Sequence, residues 1–248
     1  RRTLGLLAYR SRPQFLQLGG VHRARRAYPG ADARLDELMR VTKAVKAEQL
    51  RILRSLYPNA RPALTFQSPF ELLIAVILSA QCTDARVNVV TGRLFPKANT
   101  PAAIAALGQA ELEKEIHDCG FFRMKAKHII ETCHILLNEY DGEVPADFEA
   151  LQKLPGVGRK TANVVMSVAF HMPAIAVDTH VFRVANRLRL AVGTTPLEVE
   201  KGLQKVIPRE DWSDAHHWLI LHGRQVCKAR KPLCDTCALA QVCPSSGA

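Results

Sequence analysis

The sequence predicts an all-α fold, and three features lead to that prediction. Helix-capping patterns recur along the chain, apolar residues repeat with the three-and-four spacing of a helix face, and alternating strand-like patterns are almost absent. Only residues 175–177 have an extended pattern, which is too short for a sheet. The 248 residues are enough for one large domain or two small ones with buried cores.

Caps and periodicity predict the individual helices. Residues 68–71 (Ser-Pro-Phe-Glu) form a capping box with proline at the first helical position, which predicts a helix through about Ala80. This segment is apolar on almost every side, so we expect a central core helix. A Thr-Pro pair at Thr100 opens another helix. Residues 125–140 show one apolar helical face that ends at an Asp-Gly pair, and residues 195–198 repeat the capping box.

Composition and charge narrow the class of function. A hydrophobic fraction of 48% excludes a disordered chain. The longest apolar run, residues 72–78, is much shorter than the roughly 18 residues of a membrane span. Lys and Arg number 34 against 23 Asp and Glu, a formal net charge of +11. This excess indicates a polyanionic partner, with nucleic acid first and an acidic membrane surface second, while a merely solvated basic surface stays open.

The positive charge is concentrated at the start of the sequence. Residues 1–27 contain seven arginines and no acidic residue, which gives this segment a formal charge of +7. The sequence has no initiator Met, and its Arg-rich start resembles a transit peptide, whereas its short apolar stretch does not fit a secretory signal. We interpret residues 1–30 as a flexible basic arm that contacts phosphates without sequence preference.

The seven cysteines fall into two settings. Cys82, Cys119 and Cys133 stand singly in apolar helical patterns, where a small buried hydrophobe is the expected role. Four more crowd the C-terminus with the spacing C-x6-C-x2-C-x5-C: Cys227, Cys234, Cys237 and Cys243. Four neighbouring thiolates repel one another unless a cation or cluster holds them, so we predict a metal site and no disulfide framework. The long first gap suits an iron–sulfur cube better than tetrahedral zinc, although zinc stays open.

A glycine-rich turn lies between two predicted helices. One helix ends at Leu154, a Pro-Gly-Val-Gly turn follows, and a second helix runs to about Ala169. Gly156 and Gly158 both permit positive φ and let the backbone approach a ligand, and the exposed N–H groups form a site suited to phosphate. A nucleotide P-loop is excluded because Arg159 separates the glycine from the lysine and because a helix precedes the turn. The pattern instead resembles a helix–hairpin–helix DNA-backbone motif.

Lys160 and Asp178 each have two interpretations. Lys160 lies in the first helical turn after the hairpin, where a phosphate contact is the simpler role. The alternative is an amine nucleophile whose neutral form is favoured by the helix dipole and by partial burial. Asp178, in Val-Asp-Thr-His, begins another helix and is expected as its N-cap, a role that can coexist with a catalytic one.

Taken together, these residues resemble the endonuclease III family, the bifunctional DNA glycosylases and AP lyases for oxidised pyrimidines. The resemblance rests on residues 154–162, 177–180 and 216–223 and on the cysteine spacing, and it extends over about residues 35–244. The adenine glycosylases lack the lysine and carry an extra C-terminal domain, and the 8-oxoguanine branch lacks the cluster. The lysine, the four cysteines and the end of the sequence soon after the last cysteine therefore favour endonuclease III.

The resemblance implies site residues and a cofactor. It implies one [4Fe–4S] cluster on Cys227, Cys234, Cys237 and Cys243, with Lys160 as nucleophile and Asp178 as catalytic carboxylate. The damaged nucleotide is flipped out of the duplex, and Gln81 and Phe121 are expected to fill the gap. The family usually has Leu at the position of Phe121. The alternative role for Phe121 is to pack in the core rather than to enter the base stack. The expected DNA contacts are Gln81, Asp84, Phe121, Gly156, Val157, Gly158, Arg159 and Lys231.

The same resemblance implies the surroundings of the cluster. The cysteine loop is expected to present basic side chains to phosphates: Arg224, Lys228, Arg230 and Lys231. Three histidines and a tryptophan on the preceding helix are expected to pack near the cluster rather than bind it: His216, His217, His222 and Trp218.

Domains, partner and location follow from the resemblance as well. Residues 66–176 are expected to form a six-helix domain with the hairpin motif at about 149–170. Residues 31–65 and 177–248 are expected to form the cluster domain, with a DNA-binding cleft between the two. The expected partner is double-stranded DNA with damaged pyrimidines or abasic sites, bound by a monomer away from membranes. In a bacterium this predicts a cytoplasmic protein at the nucleoid, with organelle targeting by the arm left open. A non-catalytic DNA-binding protein with a structural metal is the alternative function.

Overall fold

The computed structural model describes residues 41–247, in which ten α-helices and three short 3₁₀ helices occur. In chain order the α-helices are α1 (Lys43–Leu56), α2 (Pro69–Leu78), α3 (Asp84–Leu94), α4 (Pro101–Glu115), α5 (Phe122–Glu139), α6 (Phe148–Lys153), α7 (Arg159–Val168), α8 (Thr179–Leu188), α9 (Pro196–Val206) and α10 (Trp212–Gln225). These residues contain no strand, so the all-α prediction is confirmed. The predicted basic arm, residues 1–30, and residues 31–40 of the predicted cluster domain lie outside the described residues.

Side-chain caps begin the helices where the sequence predicts them. The hydroxyl of Ser68 accepts a hydrogen bond from the N–H of Glu71 at 3.1 Å, and α2 follows. Glu71 does not complete the box, because its carboxylate accepts from the N–H of Gln67 at 2.7 Å instead. At the start of α9, both bonds of the box between Thr195 and Glu198 are present. These bonds span few residues, which is why the sequence alone predicts them.

Helix α2, the helix predicted from residue 68 onward, lies at the centre of an apolar core. Every residue from Phe70 to Leu78 is buried, and α2 packs against α3, α5 and α7. Burial of each large aliphatic side chain contributes about 1.5–3 kcal/mol. Glu71 is the charged exception at 3% exposure, and its carboxylate accepts from Gln67 N–H and from Nδ2 of Asn99 at 3.2 Å. These bonds keep the buried carboxylate from being left unpaired.

The longest helix, α5, begins earlier than the periodicity predicts and ends where it predicts. It starts at Phe122, three residues before the predicted start. Asp141 and Gly142 then adopt φ values of 52° and 79°, and the N–H of Gly142 donates to the carbonyl of Leu136 at 2.8 Å. This left-handed ending satisfies a carbonyl of the last helical turn.

Buried apolar residues form two clusters. One lies between Phe70 and Ala174 in the sequence, and the other combines Leu53 with residues from Ile175 to Leu239. The extended residues 175–177 therefore lead from one cluster to the other. The domain boundaries expected from the resemblance, 66–176 against 31–65 and 177–248, stay a prediction. None of the described helices is both long and apolar enough to cross a bilayer.

Candidate active site and cysteine-lined cavity

The turn between α6 and α7 brings main-chain N–H groups to the surface. Gly156 has a φ of +77°, and a Cβ there would lie 3.2 Å from Nδ1 of His128, so conformation and space both require glycine. Thr132 donates to the carbonyl of Pro155 at 3.1 Å, which holds the turn against α5. Gly158 has a φ of −88°, so of the two glycines that permit positive φ only Gly156 adopts it. As N-cap, Gly158 provides no side-chain bond to α7, which leaves the first N–H groups of this helix for an anion.

The structure brings Lys160 and Asp178 to the same cavity. Lys160 lies in the first turn of α7, Asp178 is the N-cap of α8, and the cavity they line has a volume of about 100 Å³. Asp84, His216 and Arg224 line it too. Lys160 is exposed, so the partial burial expected from the sequence is wrong. The amine of Lys160 therefore lies beside the uncapped start of α7 and at the cavity. Because it is exposed, it can reach a substrate bound there.

Asp178 combines the two roles that its sequence position suggests. Its Oδ1 accepts hydrogen bonds from the N–H groups of His180 and Val181, both at 2.8 Å. These two bonds cap α8 and fix the carboxylate against the helix start. Because both fall on Oδ1, capping does not occupy Oδ2, and the carboxylate keeps an oxygen for chemistry in the cavity.

His216 supports the segment that leads to Asp178. Its ring is 4% exposed, and Nδ1 lies 2.7 Å from the carbonyl oxygen of Ala176. A carbonyl only accepts, so Nδ1 carries the hydrogen. Burial lowers the pKa of His216 to about 3, with a further contribution from neighbouring His217, so the ring is neutral. Sequence analysis expected His216 and His217 near the cysteines, but both line the cavity of Lys160 and Asp178.

The two predicted gap-filling residues lie on loops that touch. Gln81 and Phe121 both have left-handed backbones, with φ of 52° and 57°. A Cβ at Gly120 would lie 3.4 Å from the carbonyl oxygen of Gln81, so the two loops are in contact. Phe121 is 68% exposed, so core packing is wrong for its side chain. The neighbouring Phe122 packs against His117 instead, with ring centroids 4.7 Å apart and ring planes tilted by 50°. An exposed aromatic side chain on a held loop suits insertion into a base stack.

The four C-terminal cysteines line one cavity of about 430 Å³. All four are half-buried and free of disulfide bonds. Burial raises the pKa of Cys237 and Cys243, and the charges of the neighbouring thiolates add to that rise. In the part of the chain that the structure describes, no three His, Cys, Asp or Glu side chains converge as a single metal ion requires. Four sulfur donors around one cavity fit the thiolate ligand set of an iron–sulfur cluster, and the identity of the bound group stays a prediction.

Neighbouring side chains hydrogen-bond to the sulfur atoms. Arg187 donates from Nη1 to Sγ of Cys227 at 3.4 Å. Nε2 of His222 lies 3.7 Å from Sγ of Cys237, and the hydroxyl of Tyr57 lies 3.2 Å from Nδ1 of the same ring. Burial lowers the pKa of His222 to about 4, so the ring is neutral and has one donor. A thiolate only accepts, so with Cys237 as a thiolate the ring donates from Nε2 to the sulfur and accepts at Nδ1 from the tyrosine, which stabilises that thiolate.

Comparisons with known proteins identify the family. The family model of the HhH-GPD superfamily of base excision DNA repair proteins matches residues 74–209. Endonuclease III of Escherichia coli strain K12 is 53% identical over 203 residues, covering 82% of this chain and 96% of that protein. Endonuclease III of Rickettsia conorii is 55% identical over 186 residues, covering 75% and 89%. The chain belongs to the endonuclease III family.

Solved structures of endonuclease III have the same fold as this chain. A trapped covalent intermediate of an endonuclease III with DNA has a TM-score of 0.81 at 51% identity, covering 84% of this chain and 98% of that one. A non-covalent endonuclease III–DNA complex also has a TM-score of 0.81, at 50% identity, covering 84% and 97%. A thermostable thymine-DNA glycosylase, at 24% identity and a TM-score of 0.76, supports the fold alone.

Two ion pairs join distant segments, and one of them lines the cavity of Lys160 and Asp178. Arg224 of α10 donates from Nη1 to Oδ2 of Asp84 at 2.7 Å, so a carboxylate engages one of its five N–H donors. Arg159 donates to both carboxylate oxygens of Glu200 on α9, at 2.8 and 2.6 Å, and stacks over Phe148. Glu200 is 3% exposed, so this bidentate pair anchors the start of α7 and with it the neighbouring lysine. A DNA contact by Arg159 stays a prediction.

Two arginines that sequence analysis missed shape the cysteine loop. Arg183 donates to the carbonyl of Cys227 at 3.0 Å, and Arg187 donates to the carbonyl of Lys228 at 2.7 Å. Their i, i+4 spacing on α8, the helix that Asp178 caps, was the available signal. The loop they hold presents Lys231 to solvent with a φ of 51°. Its contact with phosphate stays a prediction.

Proposed function

We propose that this protein is a bifunctional DNA glycosylase and AP lyase that removes oxidised pyrimidines from duplex DNA and then cuts the strand 3′ to the abasic site. One observation carries the proposal: an exposed lysine at an uncapped helix start and a carboxylate fixed at another helix start line the same cavity. Family membership supports it, since the relatives are named endonuclease III and one is trapped covalently on DNA.

Lys160 is the nucleophile in this proposal. The neutral amine attacks C1′ of the damaged nucleotide, the C1′–N bond breaks, and the base leaves with the bonding electron pair and takes up a proton. The sugar ring opens to a Schiff base between Lys160 and C1′. The Asp178 carboxylate stabilises the positive charge that develops on the sugar. Its fixed position on α8 means that it needs no reorganisation as that charge forms.

The lyase step follows from the Schiff base. The iminium makes the C2′ proton more acidic, a base removes that proton, and β-elimination breaks the C3′–O bond. The oxygen leaves with the 5′-phosphate of the downstream strand, and water then releases Lys160. Asp178 is within the same cavity and can assist these proton transfers.

The surrounding elements hold the DNA while the base is outside the stack. Flipping costs a few kcal/mol, and less for a base that already pairs poorly. Gln81 and Phe121 fill the vacated space from two loops that are in contact. The N–H groups of Gly156 and Gly158 bind the phosphate backbone of the flipped strand, and Val157, whose own N–H donates to the carbonyl of Leu154 at 3.1 Å, holds the turn between them.

The cysteine-lined cavity holds a [4Fe–4S] cluster in this proposal. Cys227, Cys234, Cys237 and Cys243 are its ligands, and the group supplies a structural anchor for the last loop. The donors from Arg187 and His222 stabilise thiolates there, and the anchored loop presents Lys231 toward phosphate. If the source is a bacterium, the DNA partner places the protein at the nucleoid in the cytoplasm.

Elemental analysis tests the cofactor. We expect about four iron atoms and four inorganic sulfides per chain in protein purified without oxygen. The matched control is Cys133→Ala, which removes a buried thiol outside the cavity and should keep full loading. One zinc atom per chain and no sulfide would contradict the assignment.

Strand cleavage and borohydride trapping on duplexes with defined lesions test the activity. We expect the wild-type protein to cut at an oxidised pyrimidine and to form a covalent complex with that strand when borohydride is present, because borohydride reduces a Schiff base to a stable amine. An undamaged duplex of the same sequence is the control. Salt-sensitive binding without cleavage or adduct would favour the non-catalytic DNA-binding alternative and contradict the proposal.

A further inference from the structure

Two cysteines that the proposed mechanism does not use lie between the gap-filling loops. Cys82 follows Gln81 directly, and Cys119 lies two residues before Phe121. Gly120, next to Cys119, lies against the main chain of Gln81, next to Cys82, because a Cβ at Gly120 would lie 3.4 Å from the carbonyl oxygen of Gln81. Both belong to the same apolar core, Cys119 at 1% exposure and Cys82 half-buried at its edge. The expected role of a small buried hydrophobe is confirmed for Cys119, whereas Cys82 is only half-buried.

A buried lysine accompanies the pair. Lys125 of α5 is 5% exposed, and its Nζ donates to the carbonyl of Leu78 at 2.7 Å. Burial lowers the pKa of Lys125, and the two nearby cysteines oppose that shift. Burial raises the pKa of Cys119 to about 12, Cys82 adds to the rise, and Lys125 opposes it. The ammonium thus favours a thiolate at a position where the surrounding core disfavours one.

One of the two thiols is reached from solvent. Cys82 lines an open cavity of about 610 Å³ together with Asp84, His180 and Arg224. Asp84 and Arg224 also line the cavity of Lys160 and Asp178. A small oxidant that enters this space meets Cys82 first, with Cys119 behind it in the core.

We propose that Cys82 and Cys119 form a redox-active dithiol that closes to a disulfide when the protein meets a small-molecule disulfide such as oxidised glutathione. The thiolate of Cys82 attacks one sulfur of the oxidant and expels a glutathione thiolate, leaving a mixed disulfide. Cys119, deprotonated beside Lys125, attacks Sγ of Cys82 and expels the second glutathione. The two cysteines lose two electrons and two protons, and one glutathione disulfide is reduced to two thiols.

The bridge changes the geometry of the two loops. Bonded sulfur atoms lie about 2.05 Å apart, closer than two separate thiols can approach, so closing the bond draws the bases of the loops together. Gln81 and Phe121 are adjacent to the moving residues and shift with them. If the proposed function holds, we expect base excision from duplex DNA to slow by about tenfold or more, because misplacement by about 1 Å can cost up to two orders of magnitude.

Peptide mapping tests the chemistry without any reference to activity. The reduced, cluster-loaded protein is treated with oxidised glutathione, its remaining free thiols are alkylated, and it is digested. We expect a peptide pair joined through Cys82 and Cys119 and a loss of two hydrogen atoms, both reversed by dithiothreitol. Cys82→Ser and Cys119→Ala should each prevent this product, whereas Cys133→Ala, which removes a lone buried thiol of α5, should leave it. Absence of the bridged peptide in wild type overturns the proposal.

Excision kinetics on the same samples test the regulatory consequence. We expect the oxidised wild-type protein to be about tenfold slower than the reduced one, with recovery after dithiothreitol and no change for Cys82→Ser. If the disulfide forms but the rate of base excision does not change, the proposed regulatory effect is wrong. Failure of the reduced protein to trap on lesion DNA would instead overturn the proposed function, and the peptide map would stand independently of that result.

Discussion

Lys160→Gln is expected to abolish borohydride trapping and to slow removal of oxidised pyrimidines by about 10³-fold or more, because the reaction loses its nucleophile. The side chain is exposed and lies in the first turn of α7, so its replacement should not alter the fold. Glutamine is close in length and cannot form a Schiff base. Single-turnover excision, trapping and thermal denaturation on the same preparation measure the three expectations.

The simpler role of Lys160, a phosphate contact, predicts a different result for the same variant. If Lys160 only contacts a phosphate, the variant should bind DNA more weakly at all sequences, with a salt slope smaller by about one, and should still trap. Lys153→Gln is the matched control, since Lys153 is an exposed lysine at the end of α6 in the same hairpin. It should trap like the wild type. Substantial trapping by Lys160→Gln would contradict the assignment of the nucleophile.

The sequence predicts the local parts of this structure because their determinants are local. The caps at Ser68, Thr100 and Thr195 each bond to an N–H three residues away, and these are the helix starts that the sequence identifies. The hairpin turn is equally local, although only Gly156 of its two glycines has positive φ. The sequence singles out the lysine and the aspartate by their positions at helix starts, and the resemblance then implies their catalytic roles. The cavity that joins them is a tertiary feature.

What sequence reasoning missed depends on long-range contacts. Asp84 and Arg224 are 140 residues apart, and no pattern in either segment indicates that they pair. The contact between Cys82 and Cys119 likewise requires two separate loops to meet. The histidines illustrate the same limit on one helix. Residues 216 and 222 are separated by about 240° around the axis, so they reach different cavities, and the sequence interpretation grouped them at one.

Asp178→Asn is expected to slow base excision by about 10²–10³-fold while leaving the stability of the fold unchanged. The charge that stabilises the cationic sugar is lost, and electrostatic stabilisation by one fixed group is worth about that much. Asparagine caps a helix as well as aspartate does, so Oδ1 can still accept from His180 and Val181. Excision rate and melting temperature, measured together, therefore separate the catalytic role from the structural one.

A second variant and a matched control complete this test of Asp178. Asp178→Ala removes the charge and the cap together, so we expect the same loss of rate and a destabilisation of about 1 kcal/mol. Asp147 is an exposed N-cap of α6 whose side chain accepts from the N–H of Ala150 at 2.7 Å. Asp147→Asn makes the same chemical change outside the cavity and should leave excision unaffected. If Asp178→Asn excised bases at the wild-type rate, Asp178 would be a helix cap alone, and another group would have to stabilise the sugar cation.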